Sequence, residues 1–227
     1  MIGTLVLWGS GWEGGAVLAA FFVSSSLVSR LTIPAPGLDP KGDRRDHRQV
    51  WANGGPAALG ALLGVCCGDA GLWVITGSLA AAAADTWATA IGSRSGTPPR
   101  LLLAGRVVPP GTNGGITVLG SAGGAAGAVL VSAAGALAGG GPRLLAVATS
   151  IGFAGMLVDS TLGALLQGRF LCPACEVSSE WRVHRCGTPT VRQGGIAWLD
   201  NDGVNLAATT TAALLALAGW LVCGPPP

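Results

Sequence analysis

Charges are so thinly spread along this chain that long tracts of it cannot form a water-facing surface. From Gln49 to Ser93 the only charged residues are Asp69 and Asp85, and from Val107 to Gly168 the only ones are Arg143 and Asp159. A soluble domain keeps roughly a quarter of its residues charged. Here the charged share is 11% against 50% hydrophobic, which excludes both a soluble globule and a disordered chain. The fold class that remains is all-α, a polytopic transmembrane bundle packed through small side chains, consistent with 38 glycines. A net charge of +2 gives no reason to expect a nucleic-acid partner.

A spanning helix needs about 20 apolar residues at 1.5 Å each. Runs of that kind extend approximately over Glu13 to Ser29, Val50 to Cys67, Leu72 to Ser93, Ile116 to Ala138, Leu144 to Gln167 and Gly203 to Cys223, which predicts about six helices in one integral domain, residues 1–227. Met1 to Trp8 is apolar but too short to span. It reads as the stump of a further helix, with translation starting upstream, or as an interfacial segment anchored by Trp8 and Trp12. Twelve of the 13 Lys and Arg residues fall in alternate loops, Arg143 being the exception. The positive-inside rule therefore puts the long basic loops in the cytoplasm, in what is expected to be the plasma membrane, and makes residues 169–200 a cytoplasmic loop. Glycines four apart, Gly60 with Gly64, Gly120 with Gly124 and Gly123 with Gly127, read as helix-packing surfaces. Cys66, Cys67 and Cys223 read as ordinary core residues.

Two carboxylates interrupt the apolar runs. Asp85 lies nine residues before Arg94 and Asp159 ten before Arg169, so each sits roughly 13 to 15 Å inside its helix. A carboxylate at that depth costs on the order of 2 to 4 kcal/mol unless it meets a partner or water, which marks a functional site. Asn53-Gly54-Gly55 precedes one Asp and Asn113-Gly114-Gly115 the other, suggesting a parallel repeat that brings both into one cavity. Asp200-Asn201-Asp202-Gly203-Val204-Asn205 opens the last helix; one such residue would serve as an N-cap, and the surplus points to a ligand. Carboxylates and amides beside basic loops suit Mg²⁺ together with phosphate oxygens, the rival reading being an ion or proton path.

Cys172-x-x-Cys175 is followed by His184-x-Cys186. Three thiolates and an imidazole complete a tetrahedral Zn²⁺ site with no open position, hence a structural one, and a disulfide is disfavoured in a cytosolic loop.

Several segments resemble the motifs of an integral-membrane family that includes the plant phytyl-phosphate kinase and animal transmembrane protein nineteen. They are Phe21 to Ser26, Gln49 to Gly55, Ala84 to Thr89, Pro109 to Gly115, Asp159 to Gln167 and Asn201 to Asn205, in the family's order. The resemblance implies a polyprenyl-phosphate kinase in the bilayer, taking an isoprenoid monophosphate and a nucleoside triphosphate, CTP among the candidates. It implies Asp85 and Asp159 on Mg²⁺, with Asn53, Asn113, Asn201, Asp202 and Asn205 lining the site and Lys41, Arg48 and Arg100 as phosphate partners. A cation-coupled transporter or lipid flippase is the alternative, followed by a silent scaffold. The family usually carries Glu where this chain has Ala90, which raises the expectation that a metal ligand or base has been lost.

Overall fold

The computed structural model describes residues 1–33, 47–179 and 181–224. Lys41, one of the expected phosphate partners, lies outside them. The helices are α1 (Ile2–Ser29), α2 (His47–Cys67), α3 (Asp69–Gly92), α4 (Val118–Gly135), α5 (Gly141–Leu165) and α6 (Asn201–Cys223). Five helical runs are long and apolar enough to cross a membrane. One of them, Val118–Leu165, is 48 residues long. It doubles back on itself, because Gly139 (φ 131°) and Gly141 (φ 68°) break the backbone and let α4 and α5 pack side by side. The fold is an all-α integral-membrane bundle whose outer surface is apolar, with Leu59, Leu62, Val129, Leu214 and Leu221 exposed where lipid would touch them.

α3 is the axis of the bundle and packs against all five other helices. That position requires small residues, and Ala80 to Ala84 supply them, every one buried. A Cβ on Gly71 would fall 2.5 Å from Gly64 Cα, and one on Gly120 would fall 2.8 Å from Ala88 O. Backbone therefore meets backbone along the α2–α3 and α3–α4 seams, the arrangement expected of the four-apart glycines. Trp73, Ile75 and Leu79 of α3 fill the remaining core.

The first helix is not one rod. Ser10 and Gly11 leave helical geometry, Gly11 with φ 56° and ψ −149°. In a continuous helix Gly3 and Leu18 would lie about 22 Å apart, yet a Cβ on Gly3 would stand 3.8 Å from Leu18 Cδ2. The segment from Ile2 to Gly9 thus folds back along the rest of α1 and lies beside α2, with Ile2 against Gly54 and Gly9 against Ala61. Within Met1 to Trp8, Ile2 and Val6 are buried against the bundle, whereas Trp8, like Trp12 beyond the break, is exposed.

Two other expectations are corrected. Cys66, Cys67 and Cys223 are exposed rather than core, because they sit at the last turns of α2 and α6, beyond the packed seams. The two Asn-Gly-Gly segments do not share a conformation. Asn53 to Gly55 is inside α2, whereas Asn113 to Gly115 is a turn with Gly114 at φ 75°. Pro109 and Pro110 hold the second segment's approach extended, and nothing comparable precedes the first.

Outside the bundle, β1 (Arg100–Leu101) pairs with β2 (Gly115–Ile116) to close the α3–α4 connection. Between α5 and α6 the chain builds a three-stranded antiparallel ribbon, β4-β3-β5, from β3 (Arg169–Cys172), β4 (Val177–Ser179) and β5 (Val191–Gly194). Its neck is fixed where Gly168 N–H donates to Leu199 O and Ile196 N–H to Leu166 O, each at 2.8 Å.

Candidate functional site

A cavity of about 1970 Å³ opens at the end of the bundle where α1, α3 and α5 finish and α2 and α6 begin. Its lining follows helical periodicity. α3 contributes Asp85, Ala88, Thr89, Gly92 and Ser93, and α5 with its C-terminal extension contributes Met156, Asp159, Ser160, Gly163 and Gln167. Steps of three and four residues put each set on one helical face, so the two acidic residues reach the same space from different helices. Asn53 of α2, Asn201 at the start of α6 and Asn113 of the turn before α4 line it as well.

The Asn113 turn is seated by glycine. A Cβ on Gly114 would collide with the Ser160 carbonyl oxygen, and the positive φ there is one that other residues rarely adopt. The turn therefore lies flush on α5, one residue past Asp159. Thr117 then caps α4, its hydroxyl oxygen accepting from Gly120 N–H at 2.9 Å. At the other extreme the lining is hydrocarbon: Leu18 and Phe22 of α1, with Ile2 and Leu7 from the folded-back segment. The cavity is thus polar where helices α3 and α5 end, and its α1 wall is apolar through Leu18 and Phe22 before Ser26, Ser29 and Arg30.

Several expected residues lie elsewhere. Arg48 does not line the cavity; its Nη2 pairs with Asp200 Oδ2 at 3.1 Å on the surface. Arg100 Nη1 donates to Gly105 O at 2.9 Å and braces its own turn, because the β1–β2 pairing carries it away from the opening. Asp202 and Asn205 are not lining residues either. Asn205 is buried, and its carbonyl accepts from the Thr209 hydroxyl, which also reaches Ala52 O at 2.8 Å and ties α6 to α2. Asp200 supplies the N-cap, accepting from Gly203 N–H at 2.9 Å. Ala90 is buried off the α3 stripe and is not a lining residue, so the side chain at that position is no direct part of the cavity wall.

Among the described residues, the cations that line the cavity are Arg30 and Arg169. In the sequence they look like topology signals flanking spans. The signal that finds them is phase: Arg30 continues the α1 face through Leu18, Phe22 and Ser26, and Arg169 follows directly on the α5 face that ends at Gln167. Thr89 and Ser93 are found in the same way, one and two steps of four past Asp85, and Ser160 is four past Met156 and adjacent to Asp159.

A second site lies in the ribbon. The ligand atoms of Cys172, Cys175, His184 and Cys186 all lie within 4.8 Å of one another, and the cluster can hold a metal ion. Cys172 Sγ and Cys186 Sγ are 3.7 Å apart, and His184 Nδ1 is 3.0 Å from Cys186 Sγ. Two tight turns deliver these groups. Glu176 N–H donates to Cys172 O at 2.9 Å, and Gly187 N–H donates to His184 O at 2.8 Å. Contacts with the Thr188 hydroxyl and then His184 bring the Cys186 thiol down to about 6, whereas its hydrogen bond to Cys186 pushes Cys175 up to about 11. Cys186 is thus the more readily deprotonated of the two thiols, and a metal bound here would displace the Cys175 proton to solvent.

Comparison with known proteins places these features in a family. The model for the integral membrane protein family DUF92 matches residues 1–213. An uncharacterized membrane protein of Methanocaldococcus jannaschii is 34% identical over 173 residues, covering 74% of this chain and 71% of that protein. Protein PGR of Arabidopsis thaliana is 29% identical over 245 residues, covering 91% of this chain and 81% of the plant protein. No solved structure matches. With motifs in order and the family model spanning nearly every helix, the chain belongs to the DUF92 family of integral membrane proteins.

Proposed function

We propose that this protein is a membrane-embedded phosphotransferase that moves a phosphoryl group from a nucleoside triphosphate, CTP among the candidates, to a phytyl or polyprenyl monophosphate. The observation that carries this reading is the cavity's mixed lining, in which Asp85, Asp159, Asn53, Asn113 and Asn201 share one space with hydrocarbon from α1. A lipid with a phosphate head matches that combination. The basic loops, twelve of 13 cations, would put the polar end in the cytosol, where nucleotide is available, in the plasma membrane.

In the reaction an oxygen of the prenyl phosphate attacks the terminal phosphorus of the nucleotide. The bond to the bridging oxygen breaks, and nucleoside diphosphate leaves with that electron pair. Protein groups serve mainly to position phosphates and offset their charge. Asp85 and Asp159 supply the hard oxygen donors that suit Mg²⁺, which when bound would neutralise phosphate oxygens. Arg30 and Arg169 offer guanidinium N–H groups to the remaining oxygens, and Asn113 and Asn53 offer amide donors. Phe22 and Leu18 keep the chain end in an apolar setting.

A transporter or flippase would need a polar route to the opposite face. Among the described residues, α3 contributes no lining residue before Asp85 and α5 none before Met156, which favours the enzyme. The Cys/His cluster is assigned to structural zinc: tetrahedral Zn–S bonds of about 2.3 Å set sulfurs about 3.8 Å apart, and the Cys172–Cys186 spacing is 3.7 Å.

The test is incubation of purified protein with prenyl monophosphates of several lengths, Mg²⁺ and each nucleoside triphosphate, scoring diphosphate formation for wild type and Asp85→Asn. The expected result is turnover by wild type and a loss of at least about 100-fold in the variant. No turnover at any chain length, or an unaffected variant, overturns the reading.

A further inference from the structure

We propose that the ribbon is a working wall of the cavity, and that a metal held by Cys172, Cys175, His184 and Cys186 positions Arg169 to bind a phosphate-type anion there. This rests on the phosphotransferase reading for the nature of the anion. That reading already sets Arg169 against phosphate oxygens; what neither it nor the sequence motifs supply is a role for the metal in holding that residue.

The ribbon does not stand apart from the bundle. Arg169, Phe170, Ser179, Trp181 and Gln193 all line the same cavity as Asp85 and Asp159. Arg169 is the first residue of β3 and Cys172 the last, so one four-residue strand, about 10 Å long, joins the cavity to the metal cluster. β3 is also the central strand, and neither outer strand has another partner. Its pairing runs from Phe170 with Ser179 at the cavity end to Cys172 with Val177 at the metal end.

The Arg169 side chain is held from two directions. Nη1 donates to Ala164 O, in the last turn of α5, at 3.2 Å. A Cβ on Gly194, the final residue of β5, would fall 2.7 Å from Arg169 Nη2, so the guanidinium lies against that strand. No ion pair joins Arg169 to a carboxylate among the described residues. A guanidinium has five N–H donors in a fixed fork, and most remain to receive phosphate oxygens.

The metal enters because strands of four, three and four residues are too short to hold one another in register. The neck hydrogen bonds at Gly168 and Ile196 stop one residue short of Arg169. Beyond them the ribbon is closed by its short strand ladder, by Thr190, whose N–H donates to Arg182 O at 2.9 Å and whose hydroxyl donates to Trp181 O at 2.7 Å, and by the four-residue Cys/His cluster, with Cys172 fully buried. Removing the metal would loosen the end of β3 and, through the strand pairing, its seat against Gly194 of β5, leaving the Ala164 contact as the remaining support of the guanidinium.

The experiment uses full-length protein in detergent, zinc-loaded, with calorimetric binding of two probes: farnesyl monophosphate and inorganic pyrophosphate. Wild type is compared with Arg169→Gln, Cys175→Ser and the double variant. Arg169→Gln should weaken binding about 10- to 100-fold, the range for one charge-assisted contact. Cys175→Ser should lose zinc and weaken binding to a similar degree, and the double variant should be no more than about twofold worse than Arg169→Gln, the non-additivity of two changes acting through one group. Arg169→Lys should restore only part of the loss, since a point charge replaces a fork. Chelation of wild type should weaken binding and re-added zinc should restore it, which separates the effect from misfolding. Response with farnesyl monophosphate alone assigns Arg169 to the lipid head, and response with pyrophosphate assigns it to the nucleotide's phosphates; either supports the proposal. Additive losses, or zinc loss without any change in affinity, overturn it while leaving the phosphotransferase reading intact. An affinity that falls in Asp85→Asn but not in Arg169→Gln does the same. No binding of either probe by wild type removes both.

Discussion

The bundle and the ribbon face the same cavity but are held together by opposite means. In the bundle, α3 touches every other helix through alanine and glycine, and cohesion comes from backbones brought within van der Waals reach. In the ribbon, eleven strand residues cannot bury a core, and a cluster of four side chains able to hold a metal stands in its place. The bundle carries the two carboxylates that line the cavity, and the ribbon carries an arginine that lines it too. A change of shape should therefore damage the first and leave the second, while a change of metal should do the reverse.

The largest effect is expected from Gly124→Leu. A Cβ at Gly124 would meet Met156 Sδ from one side and Ala84 O at 3.0 Å from the other, so a leucine must push α4 away from both α3 and α5. Overpacking of a rigid interior costs about 1 to 3 kcal/mol, and backbone opposition here places it at the upper end or beyond. Thermal unfolding in detergent should begin many degrees lower, with zinc content per chain unchanged. A wild-type melting midpoint would mean that the seam is looser than the contacts require.

How much of this was legible beforehand follows the same division. The spans, the packing glycines and the two membrane carboxylates are read from composition and spacing, because lipid punishes every departure from apolar character. The metal ligands are legible because tetrahedral coordination restricts spacing. What was not legible depends on phase and on turns. Arg48 and Arg100 lie near the cavity in sequence, yet a surface pair with Asp200 and a braced hairpin direct them elsewhere. Arg30 and Arg169 are indistinguishable from topology charges until the faces of α1 and α5 are extended past the helix ends. The reversal at Ser10 and Gly11 left no hydropathy signal, since both arms are apolar.

Asp200 tests the junction of the two regions. It caps α6 through Gly203 N–H and pairs with Arg48, joining the chain that leaves the ribbon to the start of α2. Asp200→Ala should cost about 1 to 2 kcal/mol, of which the cap is about 1 and a surface pair the smaller share. Asp200→Asn keeps the cap and should cost less than about 0.5 kcal/mol. Thermal midpoints of the two variants, measured at low and high salt, separate the contributions. If Asn and Ala are equally harmful, the ion pair and not the cap closes the junction.

The smallest effect should appear in the ribbon alone. Glu176 is the single described non-glycine residue with positive φ, at 55°, and it sits one residue past Cys175 where the knuckle turns. A side chain in that region costs about 1 kcal/mol, partly offset in glycine by the greater freedom of the unfolded chain. If the cluster takes zinc as proposed, binding would be coupled to folding of the ribbon, so relief of strain there should register as affinity. Glu176→Gly should bind zinc about two- to fivefold more tightly in a chelator competition, a gain of less than about 1 kcal/mol, with the bundle's melting midpoint unmoved. Weaker zinc binding would show that the glutamate contributes to the site beyond its backbone, and a shift of the midpoint would show that the two regions are not held independently after all.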